Sequence, residues 1–329
     1  EDGIRDLVRS RGLGDVYKRQ AKRNLLLPPK KLNQGKPFYS GNIVKYLVKR
    51  QTPLKIAFQG ELGAYSEMAV YSYFGQGAEV KPCKSFDEVF ESVKTGIVDY
   101  GVVPIENSIE GSVNRTYDLF LEFDLKVRGE IIIRISHCLI ANKQTSIDQI
   151  KAVYSHPQAL AQCRKFLEEN NLKAISNFDT AGSVKMIKEE KMADAAAIAS
   201  ERAAQIYDMT ILAREIEDVK NNSTRFFVLD KQDGPYSGED KTSIIFAAKS
   251  IPGALHKVLK EFADRDINLT KIESRPTKHT PWEYHFYLDF EGHRTDPKCQ
   301  QALESIKDKT VFVKILGSYK TAKKSNNKL

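Results

Sequence analysis

The stretch from Asn221 to Leu229 places small polar side chains directly before a β-prone apolar run. Within it, Thr224 carries a hydroxyl that both donates and accepts hydrogen bonds, and Arg225 carries a permanently charged planar group suited to a carboxylate or phosphate. In open α/β sheets, ligands bind where strands end. The same residues also fit a solvated loop before a buried strand, so the rest of the chain must decide between these interpretations.

A second strand end offers the same kind of side chain. Residues 100–105 form an apolar run that predicts a buried strand, and Glu106, Asn107 and Ser108 follow it at once. A carboxylate, an amide and a hydroxyl at one strand end can orient a polar substrate and support proton transfer. The sequence therefore predicts a site to which at least two loops contribute.

A third strand candidate at residues 151–154 ends at Ser155. The predicted helix that follows carries Gln158 and Gln162, which lie on one face because they are four residues apart. His156 could act as a general base, but a histidine before a proline at a helix entry is more often structural. This segment predicts a hydroxyl and two carboxamides near the other polar groups.

The elements that would position these groups alternate between strand and helix. Residues 54–58 predict a strand, and a glycine-bearing turn then leads to Ser66 near a helix start, where backbone N–H groups favour an anion. Apolar residues at helical spacing predict a helix at residues 86–94. The short apolar run at residues 195–198 fits either a strand or a helix. This alternation predicts an α/β domain over about residues 54–231.

A second folding unit is predicted beyond a turn-rich linker at residues 232–240. Residues 241–319 order as strand, helix, strand, strand, helix and strand, which is the ferredoxin-like βαββαβ pattern. Residues 1–53 are expected to form a basic leader, disordered or partly foreign to the native protein. Residues 320–329 are expected to form a basic, disordered tail.

The net charge of +8 is unevenly distributed along the chain. The first fifty residues carry 13 Lys and Arg against 4 Asp and Glu, and the remainder carries 38 against 39. The folded part is therefore close to neutral, which argues against a nucleic-acid partner. No apolar run is long enough to predict a membrane span. The four cysteines are too dispersed for a metal site or a disulfide framework and predict a reduced, cytoplasmic protein.

Taken together and in order, the motifs resemble those of prephenate dehydratase with a C-terminal ACT regulatory domain. In the first unit the matching motifs are Gly60 through Ser66, Pro104-Ile105-Glu106-Asn107-Ser108, Ser155 through Cys163, and Thr224-Arg225-Phe226. In the second unit they are Gly253-Ala254-Leu255 and Glu273-Ser274-Arg275-Pro276, which resemble phenylalanine-binding motifs. The resemblance runs in register from about residue 54 to residue 319.

The resemblance implies a catalytic domain of two lobes, similar to type II periplasmic binding proteins, with the active site in the cleft. Lobe 1 is expected at residues 54–134 plus 224–231, and lobe 2 at residues 135–223. It also implies a homodimer or homotetramer in which L-phenylalanine binds at the ACT motifs and inhibits the enzyme.

The active-site groups of the family fall, by matching position, on five residues: Glu106, Asn107, Ser155, Gln162 and Thr224. Four further residues are expected to contact the substrate: Ser66, Arg225, Gln158 and Ser108. For Glu106, a catalytic role and a structural role that braces its loop both stay open, because a carboxylate repels an anionic substrate.

The implied reaction removes the ring carboxylate of prephenate as CO₂ and its C4 hydroxyl as water, and the aromatic product supplies most of the driving force. No metal or redox cofactor is needed. Thr224 is expected to donate a hydrogen bond to the departing hydroxyl, while Asn107, Ser155 and Gln162 orient the dianion.

Three other functions are compatible with parts of the pattern. An arogenate dehydratase would run the same chemistry on a substrate with an amino group in place of the side-chain keto group. A non-catalytic amino-acid sensor would have no use for a leaving-group donor, so the presence of Thr224 and Asn107 argues against it. A nucleic-acid regulator is disfavoured because the basic charge lies in the two tails.

Overall fold

The computed structural model describes residues 53–277 and 283–322. Apart from Pro53, the predicted leader lies outside these residues, as does the predicted tail beyond residue 322. Fifteen β-strands and nine α-helices are present in the described part of the chain. They build one ten-stranded sheet and one five-stranded sheet.

The first part of the chain forms one edge of the large sheet and its helices. Its elements are β1 (Lys55–Gln59), α1 (Tyr65–Phe74), β2 (Glu79–Cys83), α2 (Phe86–Thr95), β3 (Tyr100–Asn107), β4 (Gly111–Ser112), α3 (Asn114–Glu122) and β5 (Lys126–Arg134). Helix α2 begins where Ser85 accepts a hydrogen bond from the Glu88 N–H, and it ends at Gly96 in the left-handed conformation. The helix predicted at residues 86–94 is therefore confirmed.

The chain then crosses to the small sheet and returns. The small-sheet elements are β6 (Cys138–Ala141), β7 (Ala152–Ser155), α4 (Pro157–Gln162), α5 (Arg164–Glu169), β8 (Lys173–Ser176), α6 (Thr180–Glu189), β9 (Ala195–Ala199), α7 (Glu201–Ile206) and β10 (Thr210–Ala213). A 3₁₀ turn spans Ile147–Gln149. The apolar run that fitted strand or helix is the strand β9, which is buried throughout because strands flank it on both sides.

Two crossover segments connect the sheets: residues 135–137 lead into β6, and residues 214–222 lead back into β11 (Ser223–Asp230). The segments are hydrogen-bonded to each other, since the Ile216 N–H donates to the His137 carbonyl at 3.1 Å. The Ile135 N–H likewise donates to the Asn222 carbonyl at 2.9 Å. The two connections therefore form one joint between the sheets.

Both sheets share one strand order. The order β2-β1-β3-β11-β5 in the large sheet matches β8-β7-β9-β6-β10 in the small sheet, and in each sheet the fourth strand arrives by a crossover. In both sheets this fourth strand, β11 or β6, runs antiparallel to its two neighbours. The order 2-1-3-n-4, with the crossover strand as n, is that of type II periplasmic binding proteins, so the predicted fold class is confirmed.

The C-terminal unit has the predicted βαββαβ order. Its elements are β12 (Asp240–Ala248), α8 (Ala254–Ala263), β13 (Leu269–Pro276), β14 (Tyr284–Glu291), α9 (Pro297–Lys307) and β15 (Thr310–Lys320). Strand β15 pairs with β5 through Lys320 and Gly129, so the four strands of this unit continue the large sheet. Tyr117 on α3 packs against Tyr287 with ring centroids 4.3 Å apart.

All four cysteines are free and buried. Within residues 53–277 and 283–322, no helix is long and apolar enough to cross a membrane.

Candidate functional site

A cavity of about 830 Å³ lies between the ends of the two sheets. The large sheet contributes the ends of β1, β3 and β11 and the start of α1, and the small sheet contributes the starts of α4 and α6. The crossover residues Ile135 and His137 complete its wall. The cavity therefore collects residues from the separate strand ends that the sequence singled out.

Nine residues were expected at the active site or against the substrate, and the structure brings five of them to this cavity. Those five are Ser66, Asn107, Gln158, Gln162 and Thr224. The other four, Glu106, Ser108, Ser155 and Arg225, do not line it.

Thr224 and Asn107 meet because β11 and β3 are antiparallel and place these two residues opposite each other. The Asn107 Nδ2 donates to Thr224 Oγ1 at 3.0 Å. Since the Thr224 oxygen accepts this hydrogen bond, its own proton stays available. No acceptor for that proton lies among the described residues, so Thr224 can donate to a bound ligand.

The start of α1 offers a further set of donors. Ala64 stands at the N-cap and cannot cap the helix with its side chain, so the N–H groups of the first turn lack a side-chain acceptor. Ser66 lies in this turn, is only 7 % exposed and lines the cavity. A helix start of this kind favours a negatively charged group.

Among the charged residues that line the cavity, Arg115 and Asp87 form an ion pair, whereas Lys84, Glu110 and Asp179 form none with a described residue. Arg115 binds Asp87 and Glu122, which are both half-exposed. Lys84 is exposed and lines the cavity, and no described carboxylate pairs with it. The wall is therefore dominated by neutral hydrogen-bonding groups rather than by an excess of cations.

His156 has the structural role that the sequence analysis favoured for a histidine before a proline at a helix entry. Its Nδ1 accepts a hydrogen bond from the Gln158 N–H at 3.2 Å and so caps α4. The ring also lines the cavity.

Ser155 requires a correction, because its side chain does not reach the cavity. It is fully buried, and its hydroxyl donates to the Ile198 carbonyl at 2.6 Å, across the pairing of β7 with β9. Its neighbours His156 and Gln158 reach the cavity instead. The hydroxyl therefore holds the strand end from which α4 starts.

Ser155→Ala is accordingly expected to reduce kcat by less than about 3-fold and to lower the free energy of unfolding by about 1–3 kcal/mol, because a buried carbonyl loses its donor. Ser66→Ala is the matched control, since it removes the same hydroxyl from the cavity wall and should raise KM. Steady-state kinetics and urea denaturation measure both. A large loss of kcat in Ser155→Ala at unchanged stability would restore the catalytic assignment.

Arg225 and Glu106 also require correction, because both face away from the cavity. Successive strand residues point to opposite faces of a sheet, so Arg225 is turned away from Thr224 and Glu106 from Asn107. The two form an ion pair at 3.0 Å. Arg225 further binds Asp289 at 2.7 Å and Glu130 at 3.3 Å, and its side chain is only 11 % exposed.

This ion cluster joins the C-terminal unit to the end of β3 and the start of β11. Lys271 on β13 binds Glu106 at 2.9 Å and Glu273 at 3.0 Å. It also donates to Ser112 at 2.9 Å. A direct substrate contact through Arg225 or Glu106 is incompatible with this placement, since the cluster occupies their charged groups.

Ser108 is the last correction. Its hydroxyl accepts from the Ser223 N–H at 3.0 Å and donates to the Asn221 carbonyl at 3.4 Å, which ties the loop after β3 to the start of β11. It therefore fixes the spacing of the two strand ends without lining the cavity.

Two polar residues at or near the cavity were not among the predicted site residues. His137 lies in the first crossover, is 2 % exposed, and places Nε2 3.0 Å from Gln162 Oε1. Burial lowers its pKa, against a smaller opposing effect of the Gln162 hydrogen bond and Glu217. Asn222 ends the second crossover and is fully buried. Asn222 lies in the polar stretch before β11 that the sequence singled out, but no pattern distinguished it from its neighbours, and His137 lies in a short connection between two strands that carries no local pattern.

The expected effector residues lie on two different elements. Gly253 is the N-cap of α8 in the left-handed conformation, and Ala254 and Leu255 begin that helix. Glu273, Ser274, Arg275 and Pro276 form the end of β13, which is the edge strand of the large sheet.

Comparison with known proteins gives the same assignment over most of the chain. Residues 56–234 match the prephenate dehydratase family, and residues 242–308 match the ACT domain family. A bifunctional chorismate mutase/prephenate dehydratase of Aquifex aeolicus is 45 % identical over 283 residues, covering 85 % of this chain and 77 % of that protein. The chloroplastic arogenate dehydratase/prephenate dehydratase 2 of Arabidopsis thaliana is 42 % identical over 292 residues, covering 85 % of this chain and 76 % of that protein.

A solved structure agrees with these sequence matches. The prephenate dehydratase of Arthrobacter aurescens, crystallised in complex with L-Phe, superposes with a TM-score of 0.75 at 32 % identity, covering 81 % of this chain and 90 % of that chain. The strand-end cavity, the matched segments and this shared fold lead to one conclusion: the chain belongs to the prephenate dehydratase family and carries an ACT domain.

Proposed function

We propose that the protein converts prephenate to phenylpyruvate, CO₂ and water at the strand-end cavity, and that L-phenylalanine bound to the ACT domain inhibits it. One observation carries the catalytic part: Thr224 accepts a hydrogen bond from Asn107 and so keeps its proton for a ligand. A leaving hydroxyl needs a donor of this kind.

The roles proposed for the cavity residues follow from their hydrogen-bonding capacity. Thr224 donates to the departing C4 hydroxyl, and Asn107 orients Thr224. Gln162, Gln158 and Ser66 hold the two carboxylates of prephenate. Because aromatisation drives the loss of CO₂ and water, such neutral donors need only stabilise the departing oxygen, at about 2–4 kcal/mol each.

The experiment that tests this function is a spectrophotometric assay of phenylpyruvate formed from prephenate by the full-length chain. The same assay with arogenate, in which phenylalanine is the product, compares kcat/KM for the two substrates. Turnover of arogenate alone would assign the arogenate reaction instead. Turnover of neither substrate by the folded protein would favour the amino-acid sensor.

The effector and the assembly belong to the same proposal. We place the L-phenylalanine site at the Gly253–Leu255 and Glu273–Pro276 motifs, and we propose a cytoplasmic homodimer or homotetramer. The proposed boundaries are those predicted from the sequence, with the catalytic domain at residues 54–231 and the ACT domain at residues 241–319. The matches at residues 56–234 and 242–308 support this division.

The ion cluster offers a route from the effector to the cavity. Glu273, in the expected effector motif, shares Lys271 with Glu106, and Glu106 precedes Asn107 on β3. An effector that reorders the end of β13 would change the Lys271 contacts and so the position of the Asn107 strand end. The coupling must be reciprocal between substrate and effector.

Lys271→Met is therefore expected to raise the half-inhibitory concentration of L-phenylalanine by about 10-fold or more, while uninhibited kcat changes little. Inhibition curves at fixed prephenate measure this. Lys260→Met is the matched control, because Lys260 belongs to the same domain but, among the described residues, forms an ion pair only with the exposed Asp264. Equal inhibition of the wild type and Lys271→Met would contradict the route.

A further inference from the structure

A chain of hydrogen bonds runs from the cavity into both crossover segments. Backbone N–H groups at one end of it determine which group of each side chain donates and which accepts. The Asn107 Oδ1 accepts from the N–H groups of Ile109 and Glu110, each at 3.0 Å. A backbone N–H can only donate, so this side of the amide must be its oxygen. The backbone of the loop after β3 therefore determines the orientation of the Asn107 amide.

The orientation of the Asn107 amide determines the orientation of the next two side-chain amides, those of Asn222 and Gln162. The Asn107 Nδ2 lies 2.7 Å from Asn222, which must therefore present its oxygen, Oδ1. Asn222 consequently turns Nδ2 toward Gln162, at 2.9 Å from Oε1. Because Asn222 is fully buried, its amide has no alternative partner in solvent.

The chain ends at a histidine whose protonated nitrogen it determines. Gln162 Oε1 lies 3.0 Å from His137 Nε2 and carries no proton, so Nε2 must carry one. On the other side of the ring, Nδ1 lies 3.0 Å from the Tyr65 hydroxyl, which also lies 2.6 Å from the Ser136 carbonyl. The tyrosine hydroxyl has one proton, which it can donate to the Ser136 carbonyl or to Nδ1, so this side of the ring is compatible with a neutral ring protonated at Nε2.

We propose that Asn222 and His137 are positioning residues that hold Gln162 with its Nε2 amino group as a hydrogen-bond donor toward an acceptor oxygen of the substrate. Two donors already occupy Gln162 Oε1. No described residue accepts from Gln162 Nε2, and the side chain lines the cavity. The partner that this amino group fits is a carboxylate or keto oxygen.

The same chain sets the chemical character of the cavity. It makes the Thr224 hydroxyl a donor through Asn107 and makes the Gln162 amide a donor through Asn222 and His137. A substrate rich in acceptor oxygens satisfies both, whereas a cationic ligand satisfies neither. The identity of that substrate rests on the proposed function, but the assignment of donors and acceptors along the hydrogen-bond chain does not.

The joint between the sheets holds this chain in place. The His137 N–H donates to Glu217 at 2.9 Å, and its carbonyl accepts from Ile216 in the other crossover. Asn222 is likewise tied through its carbonyl to Ile135. Gln162 at the end of α4 and Asn107 at the end of β3 are thus oriented through residues of the joint itself.

The first test reads the histidine directly and needs no enzyme activity. Long-range ¹H–¹⁵N spectra of the full-length, ¹⁵N-histidine-labelled protein report which ring nitrogen of each of its six histidines is protonated. The His137 signals are identified by their loss in His137→Gln. We expect a protonated Nε2 at neutral pH. An unprotonated Nε2 would overturn the proposal, because Gln162 would then have to present its amino group to the ring.

The second test separates positioning from a purely structural role. His137→Leu and Asn222→Leu remove one donor each from Gln162 Oε1, and we expect KM for prephenate to rise about 10-fold with a much smaller change in kcat. His137→Gln keeps a side-chain N–H and should restore KM to within about 3-fold of the wild type. Unchanged KM in both folded leucine variants would refute the proposal.

The two tests also separate this proposal from the proposed function. If a leucine variant does not fold, the tautomer of His137 in the wild type still decides the matter. If the wild type turns over neither prephenate nor arogenate but shows a protonated His137 Nε2, the substrate assignment fails. The assignment of donors and acceptors along the hydrogen-bond chain then still stands.

Discussion

Thr224→Val lowers the kcat of prephenate dehydration by about 100-fold or more, if the Thr224 proton is the donor to the leaving hydroxyl. Valine keeps the shape of threonine and suits a strand, so β11 should still pair with β3. The Asn107 amino group would lose one acceptor but keep Asn222 and the Ser223 carbonyl. The expected loss therefore belongs to the reaction and not to the fold.

Thr224→Ser is the matched control for this prediction, because it keeps the hydroxyl and removes only a methyl group. We expect it to retain most of the wild-type kcat. Phenylpyruvate absorbance gives kcat, and thermal denaturation followed by circular dichroism confirms the fold. Wild-type turnover in a folded Thr224→Val variant would remove Thr224 from the mechanism.

Arg225→Met is expected to have the largest effect on stability, at about 3–5 kcal/mol, because it removes the cation from a buried cluster of carboxylates. Glu130 and Asp289 have side chains only 1 % and 6 % exposed. Lys241 still pairs with Glu130 at 2.9 Å, and Ser243 still donates to Asp289 at 2.5 Å, but Asp289 loses its only cation among the described residues. Urea denaturation measures the loss.

Arg164→Met is the control for Arg225→Met. Arg164 pairs with Glu168 on an exposed helix face, and such pairs contribute less than about 1 kcal/mol. Equal denaturation midpoints for the two variants would contradict the buried cluster. A raised KM in an Arg225→Met variant of normal stability would instead support the direct substrate contact that the sequence first favoured.

The sequence could predict which strand ends meet but not which face each residue takes. Polar residues next to apolar runs identified Thr224, Asn107 and Gln162, since the ends of neighbouring strands converge in this class of fold. The immediate neighbours Arg225 and Glu106 have equally suitable chemistry. Only the pairing of β3 with β11 decides that one residue of each adjacent pair enters the cavity and the other enters the ion cluster.

Other parts of the site depend on contacts between distant segments. The partner of Ser155 is the Ile198 carbonyl, 43 residues away, and no local pattern predicts it. His137 and Asn222 gain their importance from the joint between the sheets, which exists only once both crossovers are in place. Hydrophobic periodicity predicted the order of elements in the C-terminal unit. It could not predict that this unit continues the large sheet through the pairing of Lys320 with Gly129.

Strand β3 carries one extra residue, Ile105, between the residues that pair with Arg225 and Phe226 of β11. Because of it, Pro104 and Phe226 share the cavity face with Asn107 and Thr224 despite the odd spacing along β3. A single inserted or deleted residue on either strand would exchange the two faces, sending the guanidinium into the catalytic pocket and the threonine hydroxyl among carboxylates. Descendants of this sequence can therefore explore point substitutions at these two strand ends, while changes in chain length must be confined to the loops beyond them.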